Sequence, residues 1–140
     1  MDAELRQVEH DADWHAYHFI RRHVLYELRG RVDYDEHHPD DHAEGHIPLL
    51  FLRNGEPVGT ARLDQAREVG TLRMVAVLPA HQRRGIGTAM LRAVERFAEG
   101  RGIRQLNVHS AQDATVFYER LGWTTIDASK RNPLLSKTIG

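Results

Sequence analysis

The feature of the sequence that most constrains its fold is a strand–helix–strand pattern in the middle of the chain. Residues 72–78 form an apolar run typical of a strand, and Pro79, which lacks an N–H for a continuing ladder, predicts that the strand ends there. Residues 86–99 have the periodicity of an amphipathic helix, and residues 103–109 resume a strand. A strand–helix–strand unit crosses over right-handed, so we expect its two strands to be parallel.

The segments before this unit predict antiparallel structure. Residues 4–9 alternate like a short strand, after which Asp11 or Asp13 is placed to cap a helix that ends at Gly30. Two further strands, IPLLFLRN and EPVGTARLD, are joined by Asn54-Gly55, the strongest short signal for a hairpin.

The segments after the unit complete the sheet. Ser110 with Asp113 resembles a capping box for a last helix that Gly122 ends, and WTTID and LLSKTI are typical of two final strands. The order of elements predicts an α/β (α+β) chain with a mixed, mostly antiparallel sheet of about six to seven strands and about four flanking helices. We expect residues 1–140 to form a single domain, since this is an ordinary domain length.

The composition excludes several classes of function. The formal net charge of −1 gives no global attraction to nucleic acid or acidic membranes. The chain has no cysteine, which excludes disulfides and thiolate chemistry. Neither a signal peptide nor a run of about 20 apolar residues is visible. We therefore expect a cytoplasmic protein that binds neither nucleic acid nor membranes.

The stretch HQRRGIG, residues 81–87, joins the first central strand to its helix. The first backbone N–H groups of a helix lack intrahelical partners and can therefore bind a phosphate. Gly85 and Gly87, which have no side chain, let a phosphate approach the backbone, and Arg83 and Arg84 add positive charge. A glycine turn with solvated arginines is the ordinary alternative. The stretch lacks the Lys-Ser/Thr of a P-loop and the acidic residue that follows a dinucleotide fingerprint. It therefore predicts a pyrophosphate site of another kind.

Two motifs resemble those of the GNAT superfamily of acyl-CoA-dependent N-acetyltransferases. VAVLPAHQRRGIGTAML is similar to the central motif, Q/R-x-x-G-x-G/A after a strand, with Gln82, Gly85 and Gly87 in the three signature positions. ATVFYERLGW, residues 114–123, resembles the second motif, A-x-x-F-Y-x-x-x-G-F/W, at the spacing of the family. Two motifs in this order are more specific than either alone.

The resemblance implies a GNAT-like fold in which the two parallel strands splay apart and the co-substrate acetyl-CoA lies between them. The implied function is transfer of an acetyl group to a primary amine by direct attack in a ternary complex, without a metal. A non-catalytic domain that binds or senses CoA on the same scaffold is the alternative. The residues implied to bind the cofactor are Met74, Val75, Ala76, Val77, Gln82, Arg83, Arg84, Gly85, Ile86, Gly87, Thr88 and Tyr118.

The resemblance also implies the proton donor. The hydroxyl of Tyr118 would protonate the departing CoA sulfur, while a backbone N–H near Val75 polarises the thioester carbonyl. Simple packing beside Phe117 and Leu121 is the alternative for Tyr118.

The general base is less defined. His109 is the first candidate because the pKa of histidine lies near neutrality, and Asn107, Asp64 and Glu36 are the others. Members of the family often have an asparagine contacting CoA at the place of Ala111, so that Gln112 or Asn107 is expected to replace that cofactor contact.

The stretch at residues 36–46, EHHPDDHAEGH, is rich in possible metal ligands. Its spacing matches no metal site of fixed geometry, and Gly45 argues against a helix, so a solvated loop is predicted. The family builds its acceptor pocket partly from this region. The resemblance therefore implies that Tyr34, Asp35, Glu36 and Asp40 attract a cationic amine on a small molecule or peptide. A homodimer is a further expectation, from exposed strand edges.

Overall fold

The computed structural model describes residues 2–82 and 84–140, and its centre is the strand–helix–strand unit that the sequence predicts. The strand at residues 69–77 leads to the helix at residues 86–100, and the strand at residues 105–109 returns parallel to the first one, as expected. In chain order the elements are β1 (Ala3–Gln7), α1 (Asp11–Arg21), β2 (His46–Arg53), β3 (Glu56–Ala66), β4 (Val69–Val77), α2 (Ile86–Gly100), β5 (Gln105–His109), α3 (Thr115–Arg120), β6 (Thr124–Asp127) and β7 (Leu134–Thr138).

The strands of the described residues form one seven-stranded sheet in the order β1-β2-β3-β4-β5-β7-β6. Neighbours are antiparallel except for β4 and β5, which confirms the predicted mixed sheet. Three α-helices flank it in this part of the chain, fewer than the four expected, because α1 is followed only by a π turn at Arg22–Tyr26 and a 3₁₀ turn at Glu27–Arg29. A homodimer across the edges β1 and β6 stays a prediction. None of the described helices has the length and apolar character of a membrane span.

The strand β2 is buried on both faces. Leu49 and Phe51 pack in the core that includes α2, whereas Leu50 and Leu52 pack in the second core beneath α1. This explains why the sequence of β2 is a continuous apolar run rather than an alternating one. The Asn54-Gly55 turn that follows has φ angles of +51° and +79°, as the predicted hairpin requires.

The starts of two helices differ from the prediction. The N-cap of α1 is His10, and Asp13 lies inside the helix, where its carboxylate accepts the N–H of His10 at 3.5 Å. The predicted capping box of Ser110 with Asp113 is wrong. A 3₁₀ turn occupies residues 112–114, α3 begins at Thr115, and the hydroxyl of Ser110 lies 2.9 Å from that of Thr115. The two hydroxyls bond each other instead of the helix backbone.

A buried cluster of polar groups joins α1 and β3 to the 3₁₀ turn at Pro39–His42. Asp41 Oδ1 lies 2.7 Å from Arg21 Nη1 and accepts the hydroxyl of Tyr17 at 3.2 Å, and Arg62 Nη1 lies 3.6 Å away. The side chains of Arg21 and Asp41 are only 5% and 1% exposed. Removing one buried charge leaves its partner uncompensated. The pair therefore holds the turn against α1.

Replacing Asp41 tests this cluster. Asp41→Asn should lower the free energy of unfolding by about 3 kcal/mol, because Arg21 then stays buried without an opposite charge. The control is Asp33→Asn, which removes the solvent-exposed partner of Arg31 and should leave the urea midpoint nearly unchanged. Urea denaturation followed by circular dichroism measures both variants. Equal effects of the two substitutions would contradict the role of the cluster.

Candidate functional site

The two parallel strands separate halfway along β4. Within the described residues their pairing joins Val69–Leu72 to Gln105–Val108 and extends no further, although β4 continues to Val77. Met74 has a φ of +54°, and the register of β4 against β3 shifts beside it, which are the marks of a β-bulge. The splayed end of β4 therefore has backbone N–H and C=O groups with which a ligand can pair.

A groove of about 1270 Å³ opens where the strands part. It runs from the starts of α2 and α3, past the ends of β4 and β5, to the segment after α1. The predicted cofactor residues that line it are Met74, Val75, Ala76, Val77, Gln82, Gly85, Gly87, Thr88 and Tyr118.

The start of α2 forms one end of this groove. Gly85, with a φ of +76°, is the N-cap, and its carbonyl accepts the N–H of Ala89 at 3.0 Å. By helix geometry the N–H groups of the first turn have no intrahelical acceptor and carry partial positive charge. A Cβ on Gly87 would lie 3.2 Å from the ring of Phe117, so the absence of a side chain lets α3 pack here. The turn can bind an anion through its backbone.

The side chains around this turn differ in burial and in their contact with the groove. Ile86 is fully buried in the core and Arg84 is exposed, and neither side chain lines the groove, so their phosphate contact stays a prediction. Arg83, the other predicted arginine, lies outside the described residues. The side chain of Gln82 donates to the carbonyl of Val77 at 2.8 Å. Gln82 therefore ties the splayed end of β4 to the turn.

Tyr118 lines the groove from α3. Its residue surface is 4% exposed, and its ring lies edge-on to those of Phe117 and Trp123, with centroids 5.4 Å away in each case. Burial raises the pKa of Tyr118 to about 12. The hydroxyl is therefore protonated at neutral pH and can donate a proton but cannot act as a base.

The other predicted residues in β5 and in the 3₁₀ turn before α3 differ in whether they line the groove. His109, the last residue of β5, is half-buried and lines the groove. Asn107 and Gln112 do not line it. The side-chain oxygen of Asn107 accepts from Gln105 at 3.0 Å, and the side-chain amide of Gln112 donates to the carbonyl of Arg131 at 3.1 Å. Both side chains are engaged in local hydrogen bonds, and their contact with the cofactor stays a prediction.

Two further candidates for the general base also lie outside the groove. Both oxygens of Asp64 accept from Arg62, at 2.7 and 3.0 Å, and its side chain is 14% exposed. Glu36 is an exposed residue beside His37. His109 is thus the one of the four candidates that the groove contains.

Three of the four predicted acceptor residues, Tyr34, Asp35 and Asp40, line the opposite end of the groove, and Glu36 does not. The hydroxyl of Tyr34 lies 2.5 Å from Nδ1 of His18. Burial lowers the pKa of His18 and raises that of Tyr34 to about 12, so the tyrosine donates to a neutral histidine. Within the described residues no three His, Asp or Glu side chains are grouped to hold a metal ion.

Sequence reasoning missed three arginines of this end, Arg21, Arg62 and Arg73, all of which line the groove. The sequence contains a recognisable signal for two of these arginines. Arg62 stands between Ala61 and Leu63 in an apolar strand, and Arg73 follows Leu72 in the next one. A charge inside a strand of this kind indicates either a buried partner or a ligand.

Comparison with protein families matches residues 9–123 to a model described as "Acetyltransferase (GNAT) family". Among individual proteins, the chain is 30% identical over 122 residues to a protein of Bacillus subtilis (strain 168) whose name assigns it provisionally to the acetyltransferases. This match covers 86% of the chain and 83% of the relative.

Solved structures share the fold. A Lactobacillus plantarum protein, described provisionally as an N-acetyltransferase, has a TM-score of 0.84 at 24% identity, with 100% of both chains covered. The PaiA N-acetyltransferase of Thermoplasma acidophilum, solved in complex with coenzyme A, has a TM-score of 0.78 at 14% identity, with 99% of each chain covered.

Proposed function

The chain belongs to the acetyltransferase (GNAT) family, and from that premise we propose that it transfers an acetyl group from acetyl-CoA to a primary amine by direct attack in a ternary complex. The observation that carries the proposal is that the splayed end of β4 and the first turn of α2 line one groove. An extended amide chain pairs with a free strand edge, and a diphosphate binds at the start of a helix. Coenzyme A contains both parts.

Each part of the cofactor has a place in this proposal. The backbone of residues 74–77 pairs with the pantetheine amides, and the N–H groups at the start of α2 bind the diphosphate. The acetyl thioester then lies near Tyr118. The turn and the strand end are joined by the Gln82 hydrogen bond to Val77, which supports a fixed spacing between the two contacts.

The reaction forms a C–N bond and breaks the C–S bond of the thioester. The neutral amine attacks the carbonyl carbon while the N–H of Val75 polarises the carbonyl oxygen. The nitrogen gives up a proton, with His109 as the candidate to accept it, and the departing sulfur gains one from Tyr118. A pKa of about 12 makes Tyr118 a weak acid that keeps its proton at neutral pH until the thiolate departs.

Cofactor binding is tested by thermal stabilisation. A ligand that binds only the folded state raises the melting temperature, so acetyl-CoA should stabilise the protein more than NAD or ATP at equal concentration. Gly87→Ala should weaken acetyl-CoA binding about tenfold, or about 1.4 kcal/mol, because the new Cβ would lie 3.2 Å from the ring of Phe117 and so shift that ring or the first turn of α2, both of which line the groove.

The matched control is Gly100→Ala at the other end of α2, where a Cβ would meet nothing within 4 Å. This variant should keep the stabilisation of the unsubstituted protein. Equal stabilisation by acetyl-CoA, NAD and ATP, or an unimpaired Gly87→Ala variant, would count against the proposed diphosphate site.

The proton donor is tested by turnover. Tyr118→Phe should lower kcat about a hundredfold, the range of a lost general acid, while the dissociation constant of acetyl-CoA changes less than about twofold. Thiol release with a panel of amines measures the first quantity, and calorimetry measures the second.

The control for the loss of a buried hydroxyl is Tyr17→Phe, since Tyr17 is equally buried but does not line the groove. We expect it to lower stability and to leave kcat nearly unchanged. Unaltered turnover in Tyr118→Phe would remove Tyr118 from the mechanism.

A further inference from the structure

The acceptor end of the groove has arginines at its surface and their carboxylate partners behind them. Arg21, Arg62 and Arg73 line the groove, whereas Asp41 and Asp64, which contact them, do not. The side chains of Arg21 and Arg62 are 5% and 8% exposed, and that of Arg73 is 46% exposed. A ligand that contacts these arginines therefore meets their guanidinium groups and not Asp41 or Asp64, while Asp35 and Asp40 line the groove separately.

The charges of this group do not balance. The three guanidinium groups share two carboxylate partners, Asp41 and Asp64, so this cluster taken by itself has one positive charge in excess. The other charged residues that line this end of the groove are Arg29, Arg31, Asp33, Asp35 and Asp40. The Nε of Arg21 is buried and finds no hydrogen-bond partner among the described residues. Arg73 Nε lies 3.8 Å from Asp64, too far for a hydrogen bond, so its donors are available to a ligand. Unused donors and excess charge together indicate an anionic ligand group.

The position of Arg73 opposite Arg62 is unfavourable for the stability of the sheet. Arg62 and Arg73 are direct partners across the β3–β4 ladder, beside the bulge at Met74. Like charges directly opposite each other on neighbouring strands destabilise a sheet. Asp64 lessens this repulsion but serves both arginines at once. A local conflict of this kind is expected where residues are held in place for a ligand.

We propose that the acceptor carries a carboxylate near its primary amine, and that Arg73, with Arg21 and Arg62 beneath it, binds that carboxylate. The proposal rests on the proposed function, because it identifies the substrate class of the same groove. Arg21 Nε has no hydrogen-bond partner among the described residues and Arg73 Nε lies 3.8 Å from Asp64, and the two oxygens of a carboxylate are acceptors that such guanidinium donors bind. Asp35 and Asp40, which line the same groove, supply the negative charge that attracts the amine. The acceptor is thus a zwitterion or an acidic peptide.

The experiment compares acceptors that differ only by carboxylate against carboxamide. One pair is L-leucine and L-leucinamide, in which the carboxylate adjoins the amine. The other pair is the C-terminal amides of the dipeptides Ala-Asp and Ala-Asn, in which the carboxylate or carboxamide is on the residue after the one that carries the amine. Thiol release gives kcat/KM for each. The unsubstituted protein should prefer the carboxylate in at least one pair, and the preferred pair identifies a free amino acid or a peptide as the source.

The variant Arg73→Gln should lower the carboxylate preference about fivefold, the upper range for a half-exposed ion pair, by raising KM rather than lowering kcat. The preference is a ratio between two acceptors, so differences in amine reactivity cancel between variants. The control is Arg104→Gln, which removes an exposed arginine whose Nε lies 3.9 Å from Glu68 and which does not line the groove. It should leave the ratio unchanged.

Two results overturn the proposal: no preference for the carboxylate in either pair, or a preference that Arg73→Gln leaves intact. Failure of the proposed function is recognised separately, as absence of thiol release with any amine. Calorimetry then titrates N-acetyl-L-leucine and its amide into the CoA-saturated protein. If N-acetyl-L-leucine binds more tightly than its amide and Arg73→Gln abolishes the difference, the carboxylate site is supported even in a protein without turnover. If no such difference is found, the site is refuted.

Discussion

The separation of β4 from β5 after Leu72 is the constraint on which the rest of the site depends. A parallel pair that continued to Val77 would satisfy its own backbone and leave no edge for a ligand. The bulge at Met74 lies just beyond the last β4–β5 pair, and β5 ends at His109. After this point β4 continues alone on this side, and the chain turns through Pro79 into the first turn of α2. A free strand edge and a free helix start thus face one groove, and the cofactor proposal follows from their proximity.

The acceptor end is assembled differently, from segments far apart in the chain. Asp41 brings Arg21 of α1 against Arg62 of β3, and Asp64 brings Arg62 towards Arg73 of β4. Each arginine is held by a carboxylate that lies away from the groove. The ion pairs that stabilise Arg21, Arg62 and Arg73 also orient their donors, so under our proposal the same residues serve stability and acceptor recognition.

Local patterns were enough to predict the central unit, the hairpin and the glycine turn at the start of α2, because hydrophobic periodicity, Asn54-Gly55 and the glycines at 85 and 87 act over a few residues. The side-chain partners were not predictable in this way. Ser110 bonds Thr115 rather than capping a helix, and Gln112 bonds Arg131 rather than facing the groove. The cluster of Arg21, Arg62 and Arg73 was missed because these residues come together only in the folded protein.

Hydrogen–deuterium exchange with and without coenzyme A tests the central claim most directly, since it reports each backbone amide without a substitution. Coenzyme A should slow exchange in peptides that cover residues 74–77 and in those that cover residues 85–88, and leave the β2–β3 hairpin turn unchanged. Protection elsewhere, with both of these segments exchanging as in the free protein, would contradict the account.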